Sequence, residues 1–193
     1  MSKNNSASRL AEQQRTERTI ALTQGKKNID KAFGVFTPEF YAQRKQDYLD
    51  FARPQLARQY GQAQNQLGFS LANRGLQRSS QAQNATRDLN VTMGDKQRQI
   101  VDQGQQQANA LQSGVEQQRN NLYGTLAATL DPSMAQTAAL GAAQSYTAPS
   151  AFVPIGNLFA DWSQNYLGRL NNKTFSAAET EIPKLNFAPA PGR

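Results

Sequence analysis

Apolar residues recur along the middle of this chain with an eleven-residue period, and this period constrains the fold more than any other feature of the sequence. Eleven residues over three turns give about 3.67 residues per turn, so such residues stay on one face of a nearly straight helix. Steps of four and seven residues connect them in the second half of the chain, through Leu89, Met93, Ile100, Gly104, Leu111, Val115, Leu122 and Leu126. Extended backwards, the same frame meets Leu56, Tyr60, Leu67 and Leu71. The period predicts long α-helices with one apolar stripe, formed by these twelve residues.

The apolar stripe is narrow, and little else in the chain is hydrophobic. It supplies two core positions in every eleven residues, while the other faces carry Gln, Asn, Arg and Ala. Leu, Ile, Val and Phe together make up 36 of the 193 residues, which is few for a globular core. A single helix of this kind is marginally stable in water. We therefore predict a mainly α protein whose elongated helices are completed by homo-oligomerisation, as a helical tube or barrel, with extended N- and C-terminal arms.

Glycines also recur within the second half of the stripe, at a spacing of ten residues. Gly94, Gly104, Gly114 and Gly124 each cost about 1 kcal/mol relative to Ala in a helix interior. Two interpretations stay open. The glycines either allow close approach of neighbouring helices, or they reflect weak selection for rigidity.

Changes of composition divide the chain into five segments. We expect a polar, basic and loosely helical arm first and a Pro-containing arm last, with three helical segments between them. The segments are residues 1–30, the N-terminal arm; 31–76, an aromatic helical elbow kinked near Pro54; 77–130, a long helix with the eleven-residue repeat; 131–172, a small-residue helix and an apolar amphipathic segment; and 173–193, the C-terminal arm.

The elbow carries clear signals for the beginning and the interruption of a helix. Thr37 is suited to cap a helix whose first residue is Pro38. Pro54 removes a backbone donor and clashes with the preceding turn, so we expect it to kink or end this helix, with a second helix from about residue 54 to 73. Gly75 can take the left-handed conformation that ends a helix. The anchors of the elbow are Phe36, Phe40, Tyr41, Tyr48, Phe51 and Pro54.

Beyond Leu130 the chain becomes rich in small residues and then reaches its most apolar part. Asp131 and Pro132 form a second start signal, and Ser79 or Ser80 forms another before the long helix. Two interpretations of the apolar part stay open: a contact with a partner or another copy, or a surface that enters a lipid interface, where aromatic rings settle. Its candidate contact residues are Phe152, Val153, Ile155, Leu158, Phe159, Trp162 and Tyr166.

Residue types that are missing limit the chemistry. The sequence has no Cys and no His, which removes the common nucleophile pairs and most zinc sites. The carboxylates of Asp47 and Asp50 lie beside Arg44, so surface ion pairing explains them better than catalysis. We predict no cofactor, no metal and no enzymatic activity. The polar N-terminus predicts no secretory signal, and the sequence contains no stretch of about 18 apolar residues.

The charge of the chain suits contact with nucleic acid. The formal net charge is +7 and the pI is about 9.9. The basic residues are spread along the chain without a known docking motif. This distribution predicts at most a non-specific, salt-dependent contact with DNA phosphates.

The elbow and the turn after it are informative beyond their composition. The stretch "FTPEFYAQRKQDYLDFARPQLARQYGQAQNQLGFSLANRGLQRSS", residues 36–80, resembles the small internal virion or DNA-ejection (DNA-transfer) proteins of short-tailed bacteriophages. The resemblance rests on Phe40-Tyr41, Arg44, Tyr48, Pro54, Leu56, Gln59-Tyr60, Leu67, Leu71-Ala72, Gly75 and Ser79-Ser80.

The resemblance implies a protein packaged in the virion near the portal or tail and expelled ahead of the genome. In the host envelope it would reassemble, with copies of itself and with other ejection proteins, into a conduit at the outer membrane. The elbow would then lock neighbouring subunits together. Two alternatives stay open: a fixed head–tail or tail component that lines the DNA channel without entering a membrane, and a non-specific DNA-binding packaging factor.

Overall fold

The computed structural model describes residues 2–172, and within this range the regular structure is helical, without strands. The prediction of a mainly α protein is confirmed. The helices are α1 (Ser2–Phe33), α2 (Pro38–Ala72), α3 (Ser80–Thr129), α4 (Pro132–Thr147) and α5 (Ala160–Asn172). The C-terminal arm predicted for residues 173–193 lies outside the described residues.

Helix α3 is the central element, and the other helices pack along it. Its 50 residues extend about 75 Å at 1.5 Å per residue. α2 runs antiparallel to its first half: the Tyr48 hydroxyl donates to Gln103 Oε1 at 2.7 Å, and the Tyr60 hydroxyl donates to Asn90 Oδ1 at 2.5 Å. α1 and α4 pack against its second half and against each other. Every helix therefore finds its partners within one chain.

The helix ends follow the signals in the sequence. The Thr37 hydroxyl accepts a hydrogen bond from Phe40 N at 3.4 Å, and that of Ser79 accepts one from Ala82 N at 3.1 Å. Asp131 caps α4 through the backbone N–H groups of residues 133 and 134, at 2.9 and 3.1 Å. Gly75 has a φ of +66°, the left-handed conformation predicted for it. The predicted caps are confirmed.

The expected division of the elbow into two helices at Pro54 is wrong, because α2 continues through this residue. Pro54 removes only one hydrogen bond of the helix. The flanking residues Ala52 and Leu56 are both buried against the first half of α3. Burial on both sides of the proline holds the helix in one piece.

The basic N-terminal arm is also a regular helix rather than a loosely helical arm. The second half of α1 packs on α3 and α4 through Leu22, Ile29 and Phe33, which repeat the seven-then-four spacing of the apolar stripe. Residues 8–20 are exposed at every position. The second half of α1 is therefore packed against the rest of the chain, whereas residues 8–20 form an exposed helical part.

The apolar stripe is covered by other helices of the same chain in this structure, and homo-oligomerisation stays a prediction. The antiparallel hairpin places the stripe of α2 against the stripe of α3, and α1 and α4 cover the remainder. Nine of the twelve positions are buried, and the other three are partly buried and packed against the same clusters. The buried positions are Leu56, Leu67, Leu71, Leu89, Ile100, Gly104, Val115, Leu122 and Leu126; the partly buried ones are Tyr60, Met93 and Leu111. The stripe is the core of this fold.

Close approach explains one of the four evenly spaced glycines, Gly104, whereas a Cβ at Gly114 would make only an ordinary van der Waals contact. A Cβ at Gly104 would lie 3.1 Å from Tyr48 Cδ1, and one at Gly114 would lie 3.5 Å from the Tyr146 hydroxyl oxygen. A Cβ added at Gly94 or Gly124 would have no other atom within 4 Å. The ten-residue spacing therefore marks no single contact surface.

Candidate interaction surfaces

Phe36 lies at the centre of an aromatic cluster that begins the elbow. Its ring centroid is 5.5 Å from that of Phe33, 5.2 Å from that of Phe40 and 6.2 Å from that of Tyr146. Phe40 also contacts the ring of Tyr41 at 5.5 Å. The cluster thereby joins the end of α1, the beginning of α2 and the end of α4.

Arg44 fixes the end of α4 to α2. One of its terminal nitrogens donates to the carbonyl oxygens of Thr147 and Ala148, at 2.6 and 2.9 Å. A cation at the C-terminus of a helix also meets the negative end of the helix dipole. The Arg44 guanidinium lies 5.1 Å from the ring centroid of Phe40. It also forms an ion pair with the Asp47 carboxylate at 3.8 Å, the kind of surface pairing expected from the sequence.

The two remaining aromatic anchors of the elbow, Tyr48 and Phe51, hold the apolar amphipathic segment. The rings of Tyr48 and Phe51 each lie 5.5 Å from the ring of Phe152. Together with the Phe36 cluster, these contacts show that the elbow joins elements of one chain. The expectation that it locks neighbouring subunits has no support in these contacts, since the same aromatic rings already have partners.

Two glutamines of α2 hold the backbone of the apolar amphipathic segment. Gln59 acts at both ends of its amide: Nε2 donates to the Gly156 carbonyl at 2.9 Å, and Oε1 accepts from Leu158 N at 2.8 Å. Gln55 Oε1 accepts from Ile155 N at 3.1 Å. We call this arrangement the glutamine clamp, formed by Gln55 and Gln59. It satisfies backbone groups of a segment that lacks helical hydrogen bonds of its own.

The side chains of this segment pack mainly against α2 and α3. Phe159 is 2% exposed, whereas Val153 is 81% exposed. The other five candidate contact residues, Phe152, Ile155, Leu158, Trp162 and Tyr166, are partly buried against the first core cluster. The Trp162 and Tyr166 rings stack at 5.6 Å. Packing within the chain therefore accounts for six of the seven residues proposed to meet a membrane or a partner.

An acidic groove lies between α3 and α5. It has a volume of about 460 Å³, and its lining includes Asp88, Asp95, Asp161, Lys96 and Trp162. Asp95 forms an ion pair with Arg98. Within residues 2–172, no group of three or more His, Cys, Asp or Glu residues is arranged to hold a metal ion.

The opposite side of the α2–α3 pair is uncovered and carries two more grooves. Their volumes are about 730 and 750 Å³. Residues 94, 97 and 101 of α3 line the first, whereas residues 88, 92 and 95 line the acidic groove; at about 100° per residue these two sets lie on opposite sides of the helix. We call this uncovered side the open face, and its groove-lining residues include Arg53, Ala57, Arg87, Gly94, Gln97 and Val101.

Burial raises the pKa of four tyrosines, Tyr41, Tyr48, Tyr123 and Tyr166. Burial, together with the hydrogen bond that its hydroxyl donates to the Asp30 carboxylate, raises the pKa of Tyr123 to about 12. Burial, and then the negative charge of Glu116, raise the pKa of Tyr41. In the described part of the chain, the buried Tyr41 hydroxyl has no hydrogen-bond partner. The hydroxyls of Tyr41 and Tyr123 therefore stay protonated near neutral pH, and both residues act as packed side chains.

Several of these contacts have no signal in the sequence. The chain has 25 glutamines, and nothing local distinguishes Gln55 and Gln59 from the others. Arg44 and the Asp30–Tyr123 hydrogen bond join residues about a hundred positions apart. The docked half of α1 was recognisable from the spacing of Leu22, Ile29 and Phe33.

None of the helices described for residues 2–172 is long and apolar enough to cross a membrane. Models of known protein families, curated proteins and solved structures were each compared with the chain, and none gave a match.

Proposed function

We propose that this chain is a bacteriophage virion protein that is ejected into the host envelope at infection and contributes, as an oligomer, to a conduit for the genome. The observation that carries the proposal is the resemblance of residues 36–80 to the small ejection proteins of short-tailed phages. These residues include the whole of α2 and the turn before α3. The pattern therefore coincides with a coherent structural unit, the part of the hairpin that lies against the first half of α3.

The fold is compatible with passage through a narrow channel. Its hydrophobic core is divided into two small clusters along α3, and no buried polar or charged residue links them in the described residues. A thin, divided core limits the free energy that holds the helices together. Absence of Cys means that no disulfide opposes unfolding.

Assembly requires surfaces other than the apolar stripe. In the folded chain the exposed part of α1, residues 8–20, and the open face of the α2–α3 pair are available to other copies. A rearrangement on ejection would expose the stripe as well, since switching proteins commonly repack the same helices. We propose that the form in the virion and the ejected form differ in this way.

One structural observation favours a second function, that of a fixed head–tail or tail component. The apolar amphipathic segment, residues 152–166, is held on α2 by the glutamine clamp and by Phe152. A segment with its apolar side chains already packed needs no lipid. This protein would line the DNA channel and stay in the particle.

Mass spectrometry of virions separates the two functions. The amount of this protein is measured in intact virions and in virions emptied of their genome, with the major capsid protein as an internal reference. We expect it to disappear with the DNA. Retention at the level of the intact particle would overturn ejection and favour the fixed component.

A second experiment tests the membrane step separately. Purified protein is added to liposomes of bacterial lipid that contain a fluorescent dye, and its oligomeric state is measured by light scattering. We expect oligomers and dye release. A protein that stays monomeric and releases no dye would contradict the conduit even if it leaves the virion.

A further inference from the structure

The longest stretch of the chain without an acidic residue lies at one end of the α2–α3 hairpin. Residues 51–87 contain five arginines and no acidic residue, and they are flanked by Asp50 and Asp88. Residues 53–98 hold seven basic and two acidic residues, a net charge of +5, and residues 1–35 hold seven basic and three acidic residues, a net charge of +4. This range covers the last part of α2, the turn and the beginning of α3.

The arginines of this end are available at the surface. Arg53, Arg58, Arg78 and Arg87 are all exposed. Arg53 and Arg87 line the two grooves of the open face. Of the two flanking carboxylates, Asp88 lines the acidic groove on the opposite side of α3, whereas Asp50 lies one helical turn before Arg53 on α2. Lys96 also lines the acidic groove and Asp102 lines the groove that holds Arg53, so both sides carry both signs, with arginines in excess on the open face.

Neutral hydrogen-bond donors surround these arginines. Between residues 51 and 87 the exposed side chains include many amides: Gln62, Gln64, Asn65, Gln66, Asn73, Gln77, Gln81, Gln83 and Asn84. Arginine guanidinium groups together with Asn, Gln and Ser side chains are the groups that proteins use to contact phosphate oxygens. Residues 51–87 therefore supply donors in excess and no carboxylate of their own, and among the residues that the structure describes, Asp102 of α3 is the one acidic residue that lines the two grooves of the open face.

We propose that this acid-free hairpin end is a binding site for the phosphate backbone of duplex DNA. From residue 53 to residue 72 the surface of α2 extends about 30 Å. A duplex offers one negative charge per about 1.7 Å of its axis, so several phosphates face a surface of this length. The site would bind DNA of any sequence. This inference goes beyond the proposed conduit because it assigns duplex DNA as the ligand of the hairpin end.

An anionic membrane fits this end of the hairpin less well. A helix that lies in a lipid interface needs a continuous apolar face beside its basic residues. Among residues 51–87, Phe69 is the one large apolar side chain that is exposed. The exposed amides that surround it suit phosphates and water rather than acyl chains.

The test compares two triple variants of the full chain with equal charge. The first, R53Q/R78Q/R87Q, removes three arginines from the hairpin end. The second, R9Q/R15Q/R18Q, removes three exposed arginines from α1, where Glu12 and Glu17 lie between them. Gln has nearly the helix propensity of Arg, so helicity by circular dichroism should not change.

Binding is measured by fluorescence anisotropy with a labelled duplex of random sequence, about 30 base pairs and so roughly 100 Å long, from about 50 to 200 mM salt. Relative to the wild type, we expect the hairpin variant to bind at least about tenfold more weakly, with a slope of log K against log salt that is smaller by about 3. The α1 variant should stay within about threefold of the wild type.

Three results would overturn the site. They are equal losses in both variants, no binding by the wild type at about 50 mM salt, and arginine-dependent binding to phosphatidylglycerol vesicles without binding to the duplex. If the hairpin variant does not fold, R78Q in the exposed turn replaces it, with an expected fall in slope of about 1. The virion measurement is independent of this one, so each proposal can fail alone.

Discussion

Leu126 occupies the space beside the backbone of Gly25, where a Cβ atom would lie 2.3 Å from Leu126 Cδ1. Leu126 is 1% exposed and belongs to the second core cluster. Because the glycine has no side chain, α1 approaches α3 closely at this point. The contact lies where the docked half of α1 meets the end of α3.

Gly25→Ala should destabilise the protein by about 1–2 kcal/mol. Leu126 is buried in the second core cluster, so it must shift against its neighbours to admit the added methyl group, and this overpacking costs stability. The gain in helix propensity, about 1 kcal/mol, offsets only part of this cost. Urea unfolding followed by circular dichroism measures the change.

Gly124→Ala on α3 is the matched control. Nothing lies within 4 Å of a Cβ at this position. The same substitution should therefore stabilise the helix by about 0.5–1 kcal/mol. Changes of the same sign in both variants would contradict the close contact between α1 and α3.

The apolar stripe shows what could be predicted from the sequence and what could not. Its spacing predicts the helices and nearly all of the buried positions on them, since a period of 3.67 residues keeps them on one face. It does not predict which surface covers that face. Gly75 turns the chain so that Leu67 and Leu89 enter one cluster, and local periodicity contains no information on this pairing.

Leu89→Ala should lower the free energy of unfolding by about 2–5 kcal/mol. Leu89 is 0% exposed between α2 and α3, so its removal leaves a cavity in the first core cluster. Val91→Ala, two residues away and 58% exposed, should change stability by less than about 0.5 kcal/mol. Equal effects, measured by urea unfolding of the monomeric protein, would mean that the stripe is not buried within one chain.

The apolar amphipathic segment shows a different limit of the sequence. Its hydrophobicity is visible, but a partner, a membrane and its own chain all offer apolar surroundings. In the folded chain the glutamine clamp holds this segment against α2 of the same chain. Side-chain amides of this kind have no periodic pattern in the sequence, so the clamp could not be predicted. Long-range hydrogen bonds of this kind become visible only in the structure.

The variant Q55A/Q59A should release residues 152–158 from α2. Three hydrogen bonds to the backbone of this segment are lost, each with a net contribution of about 0.5–1.5 kcal/mol. Hydrogen exchange followed by mass spectrometry should show faster exchange at Ile155 and Leu158. Q62A/Q66A, at exposed positions of the same helix, should leave these amides unchanged. Unchanged protection in Q55A/Q59A would show that Phe152 and Phe159 hold the segment without the clamp.

Tyr123 should titrate at about pH 12, well above the ordinary tyrosine pKa of about 10, because it is buried and donates a hydrogen bond to the Asp30 carboxylate. A raised pKa favours the protonated hydroxyl in the folded state. Its contribution to stability is therefore complete below about pH 10 and is lost as the pH rises through about 12. Carbon-13 NMR of labelled tyrosine, with Tyr123→Phe for assignment, measures this pKa.

Asp30→Asn should lower the pKa of Tyr123, because the neutral amide removes both the charged acceptor and its repulsion of the tyrosinate. Burial is retained, so the pKa should stay above the ordinary value. Asp161→Asn removes a carboxylate from the acidic groove beside α5 and should leave the pKa of Tyr123 unchanged. If both variants shift it equally, the cause is the overall charge of the chain rather than the hydrogen bond that joins α1 to α3.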